Sequence, residues 1–495
     1  QQMIDAVTTS DSNGDFYTLA AGSYYLPDNI TTDKQIRIAE GATVNLCFNG
    51  YTITSTYSAT SNSNALWLSP GVTLNTCDCR GTGGVKSSTT GIIGTGGKTG
   101  SEHTINLYGG TFESSATKRT VYLSWAATLN VDGATVKSAK SSAIYMGGSA
   151  TVNIISGTVT TSNSGTSYAI EISGPNFTMT GGTVTNTSNS TAAYGLCFTD
   201  SNSGGEISGG TISATGGCGI LVGQGTDVTL SGSPVIEGGQ AAISFLSGST
   251  GKIAVGENLT GTYSVYTADS ITAAQPFTFT SEANADYSSH FVAADGLTGV
   301  AVRDVETNGQ HVAQLYLYHQ HDGVEYTALT ADTTNLTSGH YFLAENLDAN
   351  LTIESGETVD LCLNGHTLTG QITVNGTLNL RDCSSSKSGK VETTNGSAIS
   401  GGENSVVNYY GGTLSGGSGD NVPLYTNGIV NLYATPSITT SCDHDIRGNS
   451  EGFLGICAAL TKPSTALKVD FGSSVDIATK KQVTITTGWT EAMES

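Results

Sequence analysis

A glutamate stands in the middle of an apolar strand in the stretch YAIEI at 168–172. Alternation puts Ile170 and Ile172 on one side of such a strand and Glu171 on the other. The equivalent position one period earlier holds Tyr145, in AIYM, and the one before that Tyr122, in TVYL. Trp67, in ALWL, occupies the same place further back, with Trp125 on the same flank. Flat rings repeated at one spacing present apolar faces to the C–H groups of a sugar ring. A carboxylate beside them points to glycosidic-bond chemistry, which works with two carboxyl groups astride the bond. Asp200 lies three residues past Cys197, the counterpart of Glu171 in the next period. Strand rise and strand spacing put the Cα atoms of Glu171 and Asp200 on the order of 10 Å apart. Glu206, beyond the following turn, is a third candidate, and Asp132 a more distant fourth. On this reading Glu171, Asp200 and Glu206 supply acid, base or nucleophile, while Trp67, Tyr122, Trp125 and Tyr145 hold sugar rings. The plainer alternative is a surface charge answered by Lys118 or Arg119, with tyrosines that merely stack between turns.

The elements that must position these residues are legible as a repeat. A triplet of apolar, polar and apolar residues, usually centred on Asn, recurs at Asn45, Asn75, Asn106, Asn130 and Asn153, and more loosely at Thr178, Glu206 and Thr229. The intervals run from 23 to 31 residues. A Gly-rich turn and a short strand follow most triplets, as in GGTF, ISGTV and TGGTV, and another strand precedes each one. Three short strands per period of about 25 residues, with glycine at the corners, describe one coil of an all-β parallel β-helix. A single coil has no core, and only the stack buries its apolar face. The Asn of each triplet points outward, between two buried aliphatic neighbours.

The phrase VNLCFNGYTI at Val44 returns as VDLCLNGHTL at Val359. The Gly-rich corners fade after residue 262, so the chain divides into a first β-helical unit at 1–262, an irregular β segment at 263–322 and a shorter second unit at 323–495. The duplicated phrase is expected to form the first coil of each. The second half offers Tyr425 and Tyr433 but no mid-strand carboxylate like Glu171, which places any site in the first unit. LCLNGHTL, followed by LNLRDCSSSKSGKV, resembles a repeat module of large secreted and surface proteins of gut-dwelling Firmicutes. That resemblance covers both halves and implies a right-handed parallel β-helix in two tandem units. It also implies an extracellular or cell-surface setting beside glycan-active modules. Some neighbours of the family are β-helical glycoside hydrolases such as lacto-N-biosidases, from which no catalytic motif can be carried to residues of this chain.

Composition narrows the partners. With 19 basic against 41 acidic residues the formal charge is −22, which disfavours nucleic acid, whose binding rests on Lys and Arg neutralising phosphates. A neutral glycan, an oligosaccharide or mucin-type chain, fits best. No run approaches the roughly 20 apolar residues of a membrane span, so no membrane insertion is expected. QQMIDAV does not read as a signal peptide, and further domains of a larger surface protein are expected around this chain. Nine cysteines cannot all pair within one chain. Cys47 with Cys79, and Cys362 with Cys383, could each form a disulfide or stand as stacked thiols. Cys77 and Cys79 are too close in sequence for a zinc motif. His319, His321 and Asp322, in YHQHDG, read as a solvated strand end, so neither metal nor cofactor is expected. The Asp and basic clusters of β-helical lyases and the paired Asp with Gly-His-Gly of polygalacturonases are both missing. An extracellular glycoside hydrolase acting on neutral host or dietary oligosaccharides is therefore the leading expectation, and a non-catalytic adhesin or stalk the other.

Overall fold

The computed structural model describes residues 7–11, 14–58, 63–97, 100–417, 421–448, 454–458 and 467–470. Among them the regular elements are β-strands and one short 3-10 turn at Ser288–His290. The chain is a right-handed parallel β-helix in two units, one of residues 1–270 with 277–315, the other of 271–276 with 316–495.

In the first unit, coil after coil contributes one strand to each of three parallel sheets. The sheet that carries the aromatic column includes Asn64–Leu68, Gly91–Thr95, Val121–Leu123, Ile144–Met146, Ser167–Ile172 and Ala193–Phe198. Its inward row is aliphatic: Leu66, Ile93, Val121, Ile144, Ile170, Leu196, Ile220, Ile243 and Val265 stack in register and are all buried. Its outward row runs Trp67, Gly94, Tyr122, Tyr145, Glu171, Cys197. The sequence-based column omitted Gly94, and a whole coil separates Trp67 from Tyr122.

The triplets line a second sheet. Asn75, Asn106, Asn130 and Asn153 each donate an amide N–H to the side-chain oxygen of the Asn one coil before, at 2.8, 2.7, 2.7 and 2.7 Å. The outward Asn residues are thus a continuous amide ladder, closed by Thr178, whose hydroxyl donates to Asn153 at 2.6 Å. Asn130 both donates and accepts, so Asn130→Ala breaks two half-buried bonds and should cost about 1–2 kcal/mol, measured as a shift of the urea denaturation midpoint.

At the corner after each triplet a glycine adopts positive φ, as at Gly133 (φ 103°) and Gly157 (φ 88°). A Cβ on Gly157 would lie 2.3 Å from the carbonyl oxygen of Ala134, so the coil spacing itself selects glycine there.

Parallel pairing continues beyond residue 262. Tyr263–Thr267 extends the aromatic-column sheet and Phe291–Ala293 pairs with it. The corner glycines end there, but inward alternation persists at Tyr263, Val265 and Thr267, all buried. Phe279, also buried, packs against Phe245 and Phe291 with ring centroids 6.3 and 5.1 Å apart and closes this part of the core.

The second unit opens with an antiparallel hairpin, His319–His321 with Val324–Ala328, which joins a sheet of parallel strands through Gly339–Phe342 and Thr358–Cys362. The sheet thus ends on a three-residue strand, and so short an edge offers little unpaired backbone to other chains. The duplicated phrases stack on Gly22–Tyr25 and Gly339–Phe342, so neither is the first layer of its sheet: Thr43–Cys47 is the second strand, and Thr358–Cys362 follows both the hairpin and Gly339–Phe342. Each turns through Asn-Gly at positive φ, Asn49–Gly50 and Asn364–Gly365. Each turn is braced by an aspartate of the next coil: Gly50 N–H donates to Asp78 at 2.6 Å, and Gly365 N–H to Asp382 at 2.9 Å. Cys47, Cys79, Cys362 and Cys383 are free thiols, with the Cys47 and Cys79 sulfurs 3.8 Å apart and those of Cys362 and Cys383 3.3 Å apart.

Candidate saccharide groove

The missing Cβ atoms of one coil open a groove on the first unit. The coil GIIGTGG places Gly94 in the outward row between Trp67 and Tyr122, followed by Thr95, Gly96 and Gly97. A Cβ on Gly96 would meet the Trp67 ring at 3.1 Å, and one on Gly97 would lie 1.7 Å from Trp125. Both indoles therefore lie directly on backbone. The resulting groove, of about 570 Å³, is lined by Trp67, Tyr122, Trp125, Asn64, Lys118 and Arg119 together with Gly96 and Gly97. Trp125 keeps 46% of its surface exposed, as a platform for a ligand would.

Tyr122 and Tyr145 stack with ring centroids 5.1 Å apart at 23°. Arg119, from the turn before Tyr122, crosses Tyr145 with its guanidinium carbon 4.5 Å from the ring centroid. It ends on Glu171, Nε and Nη2 donating to Oε2 at 3.1 and 2.8 Å. The Ser142 hydroxyl lies 3.4 Å from the same oxygen. Glu171 is thus bound to Arg119, as in the plainer of the two sequence readings, and orients the guanidinium over the tyrosines. The neighbouring Cys197 thiol is pushed up from its ordinary range by burial and then by Glu171, which makes it a poor nucleophile.

The three candidate carboxylates do not share one face. Asp200 is exposed in the turn after Ala193–Phe198. Glu206 belongs to the triplet sheet, between Thr178 and Thr229 in register, beside a shallower groove of about 510 Å³ lined by Asn176, Ser201, Asp227 and others. Neither Asp200 nor Glu206 lines the tryptophan groove, nor does Tyr145. The structure thus groups Trp67, Tyr122 and Trp125 in the groove, with Tyr145 and Glu171 behind Arg119. The sequence reading missed Gly94, Gly96, Gly97 and Asn64. The signal for the glycines was present in GIIGTGG, the one coil in the aromatic stretch with glycine where its neighbours carry rings. In the second unit the equivalent outward row does hold a carboxylate, Asp470, in register with Arg447 and paired with it at 2.6 Å.

Coils in register on parallel sheets, with an outward amide ladder, define a β-helix repeat protein. Residues 119–273 match the family model described as the right handed beta helix region. No curated protein and no solved structure is significantly similar to this chain.

Proposed function

We propose that the first unit is a carbohydrate-binding surface module that seats a neutral saccharide in the groove between Trp67 and Trp125. The observation that carries this reading is the glycine coil, which leaves two indoles and Tyr122 framing one open groove. Sugar rings stack on such faces, while Asn64, Lys118 and Arg119 offer donors to hydroxyl groups. The charge of Arg119 is answered by Glu171 at 2.8 Å, which suits a neutral ligand better than an anionic one. Hydrolysis would require two carboxyl groups astride the bound sugar, and among the described residues the groove lining supplies none. Binding at the bacterial surface, to oligosaccharide or mucin-type glycans, is therefore preferred here to glycosidase activity.

The test is titration of the protein with a panel of neutral oligosaccharides, read by tryptophan fluorescence and calorimetry. Trp125→Ala should weaken binding about tenfold or more, the scale of one lost aromatic stacking platform. Absence of binding across the panel would sink the proposal. Release of sugar that Glu171→Gln abolishes, with binding retained, would replace it with a catalytic assignment. Gly97→Ala offers a second check: its methyl group must displace the exposed Trp125 ring, so saccharide binding should fall while the melting temperature stays within about 2 °C.

A further inference from the structure

Four side chains that are remote in sequence converge at the start of the second unit. His319 and His321 come from the edge strand of the opening hairpin, Cys362 from the end of Thr358–Cys362, and Cys383 from just past Thr377–Arg381 in the next coil. One ligand atom from each lies within 4.8 Å of all the others. The two Nε2 atoms are 2.9 Å apart, Cys383 Sγ lies 3.6 Å from His319 Nε2, and the two sulfurs are 3.3 Å apart. Tetrahedral zinc, with Zn–S of about 2.3 Å and Zn–N of about 2.0–2.1 Å, requires ligand–ligand separations of about 3.3–3.8 Å. All three measured distances fall within a few tenths of an ångström of that range.

We propose that His319, His321, Cys362 and Cys383 form a structural zinc site that fastens the opening hairpin to the first coils of the second unit. Two imidazoles and two thiolates are a donor set for a borderline-soft, tetrahedral divalent cation. The rings are already held. His319 stacks on Phe342 with centroids 4.9 Å apart at 26°, and His321 meets Tyr326 edge-on at 4.8 Å. Cys362 is fully buried, so its sulfur is fixed by the core. The nearby Arg381 is answered by Asp360 at 3.7 Å, which reduces its repulsion of a cation. No closed protein ligand set leaves room for water on the metal, so the role is structural rather than catalytic. On loading, each thiol gives its proton to solvent and the metal takes two thiolates and two neutral imidazoles, with no change of oxidation state.

The competing outcome for the same sulfurs is a Cys362–Cys383 disulfide, and the experiment separates the two. The full chain carrying C77S and C79S, which removes the thiols clustered near Cys47, is purified without reductant, its thiols are counted, and it is then reduced and titrated with Co²⁺ and Zn²⁺. One equivalent of Co²⁺ should give the visible bands of tetrahedral cobalt together with thiolate-to-metal charge transfer, and Zn²⁺ should displace it. Zinc should also raise the melting temperature of the hairpin. Cys383→Ser and His319→Ala, both at accessible positions, should abolish the charge transfer or the tetrahedral bands while circular dichroism stays that of the folded β-helix. Failure of the reduced protein to bind either ion would overturn the proposal. So would cobalt bands unaffected by His319→Ala, or a disulfide that forms quantitatively in zinc-supplemented buffer.

Discussion

Asp382→Ala is expected to loosen the second unit more than any surface substitution in it. The carboxylate is 4% exposed and accepts four hydrogen bonds. Gly365 N–H and Ser384 N–H donate to Oδ1 at 2.9 and 3.2 Å, and Gly389 N–H and the Ser384 hydroxyl to Oδ2 at 2.7 and 3.0 Å. These donors belong to two successive coils, so a single side chain holds the Asn364–Gly365 turn against the loop 384–389. Alanine leaves buried amides unpaired at about 1–3 kcal/mol each, and a total loss of about 3–5 kcal/mol is expected. Hydrogen exchange resolved by peptide should show the loss in residues 339–415 and spare the first unit, because coils of a solenoid contact only their neighbours.

The same carboxylate predicts a pH dependence. Burial pushes its pKa up, but the amides of Gly389, Ser384 and Gly365 outweigh that and hold it below the ordinary value of 3.8. A depressed folded-state pKa contributes stability that is fully present above the unfolded value and is lost as pH falls through the folded one. Wild type should therefore lose its advantage over Asp382→Asn as pH is lowered from about 5 to about 2. A difference that stays constant over that window would show that the ionised form contributes nothing.

The largest effect in the first unit is expected from Phe177→Ala. Phe177 is 1% exposed and meets Phe198 edge-on, with centroids 6.1 Å apart at 87°. It sits between Val152 and Gly205 in register, and a Cβ on Gly205 would come within 2.9 Å of it. The sequence has thus made room for the ring from the next coil. Removing it leaves a cavity that neighbouring coils, held by their own ladders, can collapse into only slightly, at a cost of about 3–5 kcal/mol. Thermal melts should fall accordingly, and exchange should rise first in residues 144–214. Phe177→Leu, which keeps most of the volume, should recover more than half of the loss.

Much of the architecture was legible because a β-helix writes its geometry locally. The triplets gave the period, alternation gave the inward and outward rows, and positive-φ corners asked for glycine once per coil. Gly94 was skipped because its coil lacks the large outward residue by which neighbouring coils were aligned. The limit at residue 262 was drawn from glycine corners, whereas the strand at 263–267 depends on inward alternation that outlasts them. The carboxylates were harder. Glu171 was readable as outward-facing, but its commitment to Arg119, 52 residues earlier, depends on an arginine crossing two coils over a tyrosine. Asp200 and Glu206 looked adjacent to Glu171 along the chain, yet a turn moves Asp200 off the strand and Glu206 onto another sheet.

By itself the sequence determined the parallel β-helix, its approximate period, the outward Asn column and the aromatic row, since each follows from periods of a few residues and from the steric demands of single positions. Tertiary structure alone decided which side chains meet across coils. Cys383 reaches His319 across 64 residues, and Trp67 and Trp125 frame one groove only because a glycine coil lies between them. Stacking converts separations of tens of residues into about 4.8 Å, and no local pattern records which partner a side chain will face once that conversion is made.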